Sequence, residues 1–265
     1  MLRCELTTQL LRLRTLIALA FLAAVPVAAA MSFASHAGHR NGTQGGLFGA
    51  SPYSALNHAM ANLEFIGPLL LPVIVALLAA AIASADRDWG ILRYLYVAPV
   101  TRTRLLAAKL AAVAIATAAA LLCVLAAGLV AGLVIFGWHP FHVIGAPDLT
   151  TGATAARVLE ATGYTLLCML AMAAIAFTLG LLLPRGAEAL AAAISFVVIA
   201  SILNGQGAVH ALAVILPVHY WQNWTGLFDP AGATGMNLGI IDQLATIAVC
   251  AAASWVLLRR RDPAA

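Results

Sequence analysis

Charge is what this sequence has least of: 9% of its 265 residues are Asp, Glu, Lys or Arg, where ordinary soluble domains carry about 25%. Its 14 basic and 10 acidic side chains could not cover the surface of a globular domain of this length. Lysine is nearly missing, Lys109 being the only one among the basic residues. The cysteines, Cys4, Cys123, Cys168 and Cys250, show no CxxC spacing, and three of them lie in apolar runs, where a thiol packs as a small hydrophobe. Neither a disulfide nor a zinc site is inferred from them. No GxxxxGK[ST] phosphate loop is present, which excludes ATP hydrolysis by that route on this chain. Neither HExxH nor GxSxG occurs either, so nothing points to an intramembrane enzyme.

What is there is apolar. Hydrophobic residues make up 63% of the chain and the mean hydropathy is +0.98. The pI of 9.1 does not indicate nucleic acid, because the basic residues are scattered between apolar runs instead of forming one stripe. The solvent for most of this chain is lipid.

Crossing a hydrocarbon core of about 30 Å takes about 20 apolar residues in a helix. Six segments meet or approach this, at about 15–34, 63–85, 105–137, 158–183, 187–203 and 238–258. The fold class expected is therefore all-α: a polytopic membrane protein with six transmembrane helices in a single domain over 1–265. The third span is too long to stand upright and is expected to tilt or project. With both termini cytoplasmic, twelve of the fourteen basic residues fall inside and only Arg40 and Arg157 outside, while the acidic residues divide evenly. A cleaved signal peptide ending near Ala28-Ala29-Ala30 is the competing reading of the N-terminus. The long preceding segment, with Glu5 and with Leu2, Leu6, Leu10, Leu13 and Ile17 at helical spacing, favours an uncleaved span after an amphipathic interface helix.

The connections differ in character. Residues 35–62 read as an outer loop rich in Gly, Ser, Asn and His. After the fifth span a break at Asn204-Gly205-Gln206-Gly207 and a short apolar run predict a re-entrant hairpin, with Tyr220, Trp221 and Trp224 at the headgroup level. All seven histidines fall on the outer side, and His36 with His39 and His139 with His142 have the HxxH spacing that can present two imidazoles to one metal. Polar loops collect histidine without any such role, and metal-related export is a secondary alternative. Glu64, Glu160 and Asp242 lie near the outer ends of spans and Lys109 near the inner start of the third, which favours interfacial placement over a proton relay. Gly128 and Gly132 form a GxxxG that permits close helix approach, and Pro68 and Pro72 are expected to kink the second span.

The loop between spans two and three is cytoplasmic, charged at both ends and aromatic in the middle, running from Asp86 through Trp89, Arg93 and Tyr96 to Pro99 and the basic turn Thr101-Arg102-Thr103-Arg104. It reads as a short amphipathic helix at about 86–97, stopped by Pro99. The acidic Asp86 or Asp88 ahead of Gly90, followed by Pro99-Val100-Thr101-Arg102, Leu105 and Lys109-Leu110, resembles the permease subunits of type 2 ABC transporters, in which an acidic residue precedes a glycine and a P-V-S-R-x-x-L-x-x-K-L pattern enters the third span. Aspartate and threonine stand here where that family more often has glutamate and serine. The resemblance implies a coupling helix in which Asp86, Asp88, Trp89, Gly90, Leu92, Arg93 and Tyr96 dock a separate ATP-binding subunit, and a hinge into the third span at Pro99, Arg102 and Arg104. It implies two ATPase subunits holding ATP and Mg, no cofactor on this chain, and a second permease copy, identical or related. It also implies residence in a bacterial inner membrane and export of an amphiphilic drug, lipid or peptide. A secondary transporter or channel without an ATPase partner is the alternative.

Overall fold

The computed structural model describes residues 12–35, 46–88, 102–204, 214, 216–230 and 232–260. Among them are eight α-helices: α1 Leu13–Ser35, α2 Gly46–Ala50, α3 Ala55–Ile66, α4 Leu70–Asp88, α5 Arg102–Ile135, α6 Thr151–Leu182, α7 Gly186–Asn204 and α8 Met236–Arg260. Short 3-10 turns cover Ser51–Tyr53, Pro217–Tyr220 and Asn223–Phe228. Five helices, α1, α5, α6, α7 and α8, are long and apolar enough to cross a membrane, and α3 with α4 meets the same test as a pair bent by 67°.

The bend follows from Gly67-Pro68. Proline has no N–H to offer the carbonyl of Glu64 four residues back, so the helical ladder cannot continue. Gln222, far along the chain, supplies the missing donor: its Nε2 lies 3.3 Å from that carbonyl oxygen. Contacts of the pair advance steadily along α5, with Ala55 and Ala59 of α3 against Gly132 and Gly128, and Ile82 of α4 at Lys109. α3 and α4 therefore follow α5 in the antiparallel sense over most of its length, as one broken span does.

Close packing in this bundle rests on small residues, because lipid provides little hydrophobic force between helices. A Cβ on Gly128 would sit 3.0 Å from the Ala59 Cα, and one on Gly132 would sit 2.8 Å from the Ala55 Cα, so the GxxxG of α5 meets an alanine pair at the same spacing on α3. On α6, Gly180 plays the same part against Ala80 and Ala83 of α4. α6 is the central helix: Met169, Met172, Ala173, Ala176 and Phe177 are wholly enclosed, and α4, α7 and α8 pack around it. α1, α7 and α8 turn Leu16, Phe21, Ile199, Leu238, Ile241 and Val249 outward, an apolar surface of the kind a bilayer covers.

The structure amends several sequence expectations. Residues 35–62 are not simply a loop, since α2 and most of α3 lie there. Ser54 caps α3, its hydroxyl accepting from the Asn57 N–H at 3.2 Å, and the helix begins eight residues before the expected start of span two. Its buried residues Asn57, His58 and Asn62 each hydrogen-bond to protein groups, so a helix lies where hydropathy alone reads a loop. α6 likewise starts at Thr151, ahead of 158, behind the Thr150 cap. The aromatic residues Tyr220, Trp221 and Trp224 are buried in the protein instead of forming a lipid-facing belt, and the described part of the hairpin is a pair of 3-10 turns. The expected interface helix before Leu13 lies outside the described residues.

Candidate functional site

One end of the bundle carries the segment that the sequence singles out. α4 ends with Asp86 and Asp88 in its last turn, and α5 opens with Arg102 and Arg104, the latter exposed. Trp89, Gly90, Leu92, Arg93, Tyr96 and Pro99 lie outside the described residues, and with them most of the expected coupling helix. What the structure does fix is the base from which that segment springs: α4 and α5 pack against each other. At the same end α6 stops because Leu183 precedes Pro184 and is driven to an extended conformation, φ −82° and ψ 144°. Arg185 in the following turn pairs with Glu188 at 3.5 Å, an exposed i,i+3 contact that contributes little stability.

Lys109 departs from expectation. It is 4% exposed, and its Nζ donates to the Ile82 carbonyl of α4 at 3.0 Å. The sequence places it at the interface, but seven residues into α5 the side chain turns towards α4 and is enclosed.

The opposite end is a polar and aromatic cap. Ser54, His58 and Asn62 follow at helical i,i+4 spacing and are all buried. His58 accepts at Nδ1 from the Ser51 hydroxyl, 2.7 Å away, and donates from Nε2 to the Pro26 carbonyl of α1 at 3.0 Å, since a carbonyl can only accept. Asn57 joins α3 to the loop after α5 through two bonds with the His142 backbone, at 2.7 and 3.0 Å. The sequence puts His58 in a loop; in the structure it is a buried link between α1, the 51–53 turn and α3. Its neighbouring serine and asparagines at helical spacing are the signal available in the sequence. His58→Ala leaves the Pro26 carbonyl without its imidazole donor and is expected to lower stability by about 1–3 kcal/mol, read as a fall in the melting temperature of the detergent-purified protein, while Ser35→Ala, at an exposed helix end, leaves it unchanged.

The aromatic segment closes this cap. Phe141 stacks on Phe228 at 4.7 Å between ring centroids, and Trp224 meets Phe228 edge-on at 6.3 Å. Side chains of the long helices hold the segment by its backbone carbonyls: Tyr164 of α6 bonds Tyr220, Arg157 bonds Leu227, and Gln243 of α8 bonds Pro217, each at 2.8 Å. Polar clefts of about 350 and 410 Å³ flank it, sharing Val143, Asp229 and Pro230. A separate apolar groove of about 230 Å³ lies between α5, α6 and α8, lined by Leu110, Val113, Leu170, Ala174, Ile247 and Ser254. Beside it Thr178 and Ser254 hydrogen-bond across α6 and α8 at 3.0 Å.

The histidine pairs divide. His36 and His39 lie outside the described residues. His142 places Nδ1 2.7 Å from Asp148 and stacks on Tyr53 at 4.1 Å, while His139 is exposed beside Gly137. Among the described residues no group of three or more His, Cys, Asp or Glu is arranged to hold a metal ion.

A family model described as a protein of unknown function, DUF2705, matches residues 15–264. The chain belongs to that family. Curated proteins give no match. The matched range extends from the first turn of α1 to the end of α8, so membership in DUF2705 rests on the whole helical bundle and not on one loop.

Proposed function

We propose that this chain is the membrane-spanning subunit of an ATP-driven exporter of the type 2 ABC class, with six crossings, both termini cytoplasmic, and residence in a bacterial cell membrane. The observation that carries the reading is the segment 86–104, charged at its ends and aromatic at its centre, strung between the packed ends of α4 and α5. A short loop joining two paired spans can pass on the movement of a docked protein, because its two ends are fixed to helices that already touch. ATP and Mg belong to the partner, since the chain has no phosphate loop. The apolar groove between α5, α6 and α8 suits an amphiphilic cargo such as a drug, lipid or hydrophobic peptide better than a hydrated ion.

The placement of ionisable groups supports an externally powered protein over a proton-coupled carrier. Glu64, Glu160 and Asp242 lie in the part of the bundle next to the aromatic cap, and Lys109 lies towards the other end. A proton relay needs ionisable groups in succession across the membrane, and the described residues do not supply one.

The test is isolation of the tagged full-length chain from its native membrane. An ATP-hydrolysing polypeptide with a phosphate-binding loop is expected to co-purify with it. A chain that purifies without one, and whose gene has no such neighbour, refutes the proposal and leaves a channel or carrier.

A further inference from the structure

Among the Asp, Glu, Lys and Arg residues whose side-chain burial is described, Lys109 is the one that is buried, 4% exposed. Enclosing an ammonium in a membrane bundle is unfavourable, and residues of this kind persist where they do something that an apolar side chain cannot. Its surroundings say what that is. The carbonyl that accepts its hydrogen bond belongs to Ile82 of α4, six residues before Asp88. Leu106 one turn earlier on α5 is buried, as are Ala83, Ser84 and Ala85 on α4. On another face of α4, Gly180 of α6 lies against Ala80 and Ala83. The last turns of α4 are thus gripped by α6 through close backbone packing and by α5 through a charged hydrogen bond.

Apolar packing resists separation of two helices but resists sliding weakly, because one van der Waals contact is readily exchanged for the next. A directional bond from a buried cation to a carbonyl on the neighbouring helix fixes register as well as distance. We infer that Lys109 is a positioning residue that locks the register of α4 against α5, so that a push on the 89–101 connection moves the two helices as one lever. This rests on the reading that the connection docks an ATPase. It adds to that reading the point at which force passes into the bundle, and it leaves the docking surface itself untouched.

Lys109→Met keeps an unbranched side chain one atom shorter and removes its charge. The Ile82 carbonyl still accepts within the α4 helical ladder, and the variant removes the cost of enclosing an ammonium, so it is expected to melt at about the temperature of the parent. Spin labels at Ala81 on α4 and Thr103 on α5 are expected to give one narrow distance distribution in the parent and in Lys109→Arg, and a broadened one in Lys109→Met. With the co-purified ATPase in liposomes, Lys109→Met is expected to keep the partner bound and to lose roughly tenfold in ATP-driven export, the scale of an ordinary coupling energy, with Lys109→Arg retaining most of it. An unbroadened distribution in Lys109→Met overturns the inference whether or not an ATPase is found. So does a variant that melts lower and loses export only in proportion, because that is the behaviour of a structural residue. A parent chain without an ATPase defeats the proposed function and not the register lock, which the distance measurement reads alone.

Discussion

Gly132→Leu is expected to abolish most of the folded yield. A Cβ at that position would lie 2.8 Å from the Ala55 Cα, 3.0 Å from the Ala55 carbonyl oxygen and 3.2 Å from the His58 Cβ. Two of those neighbours are backbone atoms, which cannot swing aside as a long side chain could. Ala55 is further held by its N–H bond to the Gly137 carbonyl at 3.0 Å, so α3 cannot slide away without losing its start. Overpacking of a core costs about 1–3 kcal/mol when neighbours can adjust, and here α3 would also draw His58 off the Pro26 carbonyl. The expected result is a sharp loss of monodisperse protein in size-exclusion chromatography. Gly163→Ala on α6 is the matched control: nothing lies within 4 Å of the added methyl, and the change is expected to raise stability by up to about 1 kcal/mol through helix propensity. Equal behaviour of the two variants would mean that α3 does not pack on the α5 glycines.

On the proposed docking of an ATPase at 86–97, replacing Asp88 and Arg93 together by alanine is expected to separate the chain from that partner while leaving it inserted and folded. Docking surfaces draw most of their affinity from a few anchors, arginine prominent among them, at about 2 kcal/mol or more each. Loss of one such anchor alone amounts to about thirtyfold in affinity. Co-purification should fail and ATP-driven export should cease, while the melting temperature of the isolated chain stays unchanged. Retention of both partner and export would show that 86–97 is not the docking segment.

How much of this is legible in the sequence varies with the physics that makes each element. α1, α5, α7 and α8 are apolar over most of their length, so hydropathy locates them to within two or three residues. α3 is hidden because Ser54, Asn57, His58 and Asn62 look like loop residues. Asn57 and His58 are held in the bundle by Ser51, the Pro26 carbonyl and the His142 backbone, partners 7 to 85 residues away, while Ser54 bonds Asn57 and Asn62 bonds the His58 carbonyl locally. Pro68 announces a break, but not that Gln222 fills the place of its missing N–H. The aromatic segment misleads for a related reason: Trp and Tyr near a membrane boundary usually face headgroups, yet here Tyr164, Arg157 and Gln243 hold the segment by the carbonyls of Tyr220, Leu227 and Pro217, and its Tyr220, Trp221 and Trp224 are buried. Lys109 is visible as the single lysine, and its enclosure depends on the arrival of α4. The proposed docking segment rests on sequence pattern, with the structure supplying the helices at its two ends.

The central claim, that ATP hydrolysed by a partner drives this chain, is tested most directly in inside-out vesicles containing the chain together with its co-purified ATPase. Uptake of a fluorescent amphiphile should require ATP, stop when the ATPase's phosphate-loop lysine is substituted, and persist when the proton gradient is collapsed by an uncoupler. Uptake by the chain alone, or uptake abolished by the uncoupler with ATP still present, would contradict it.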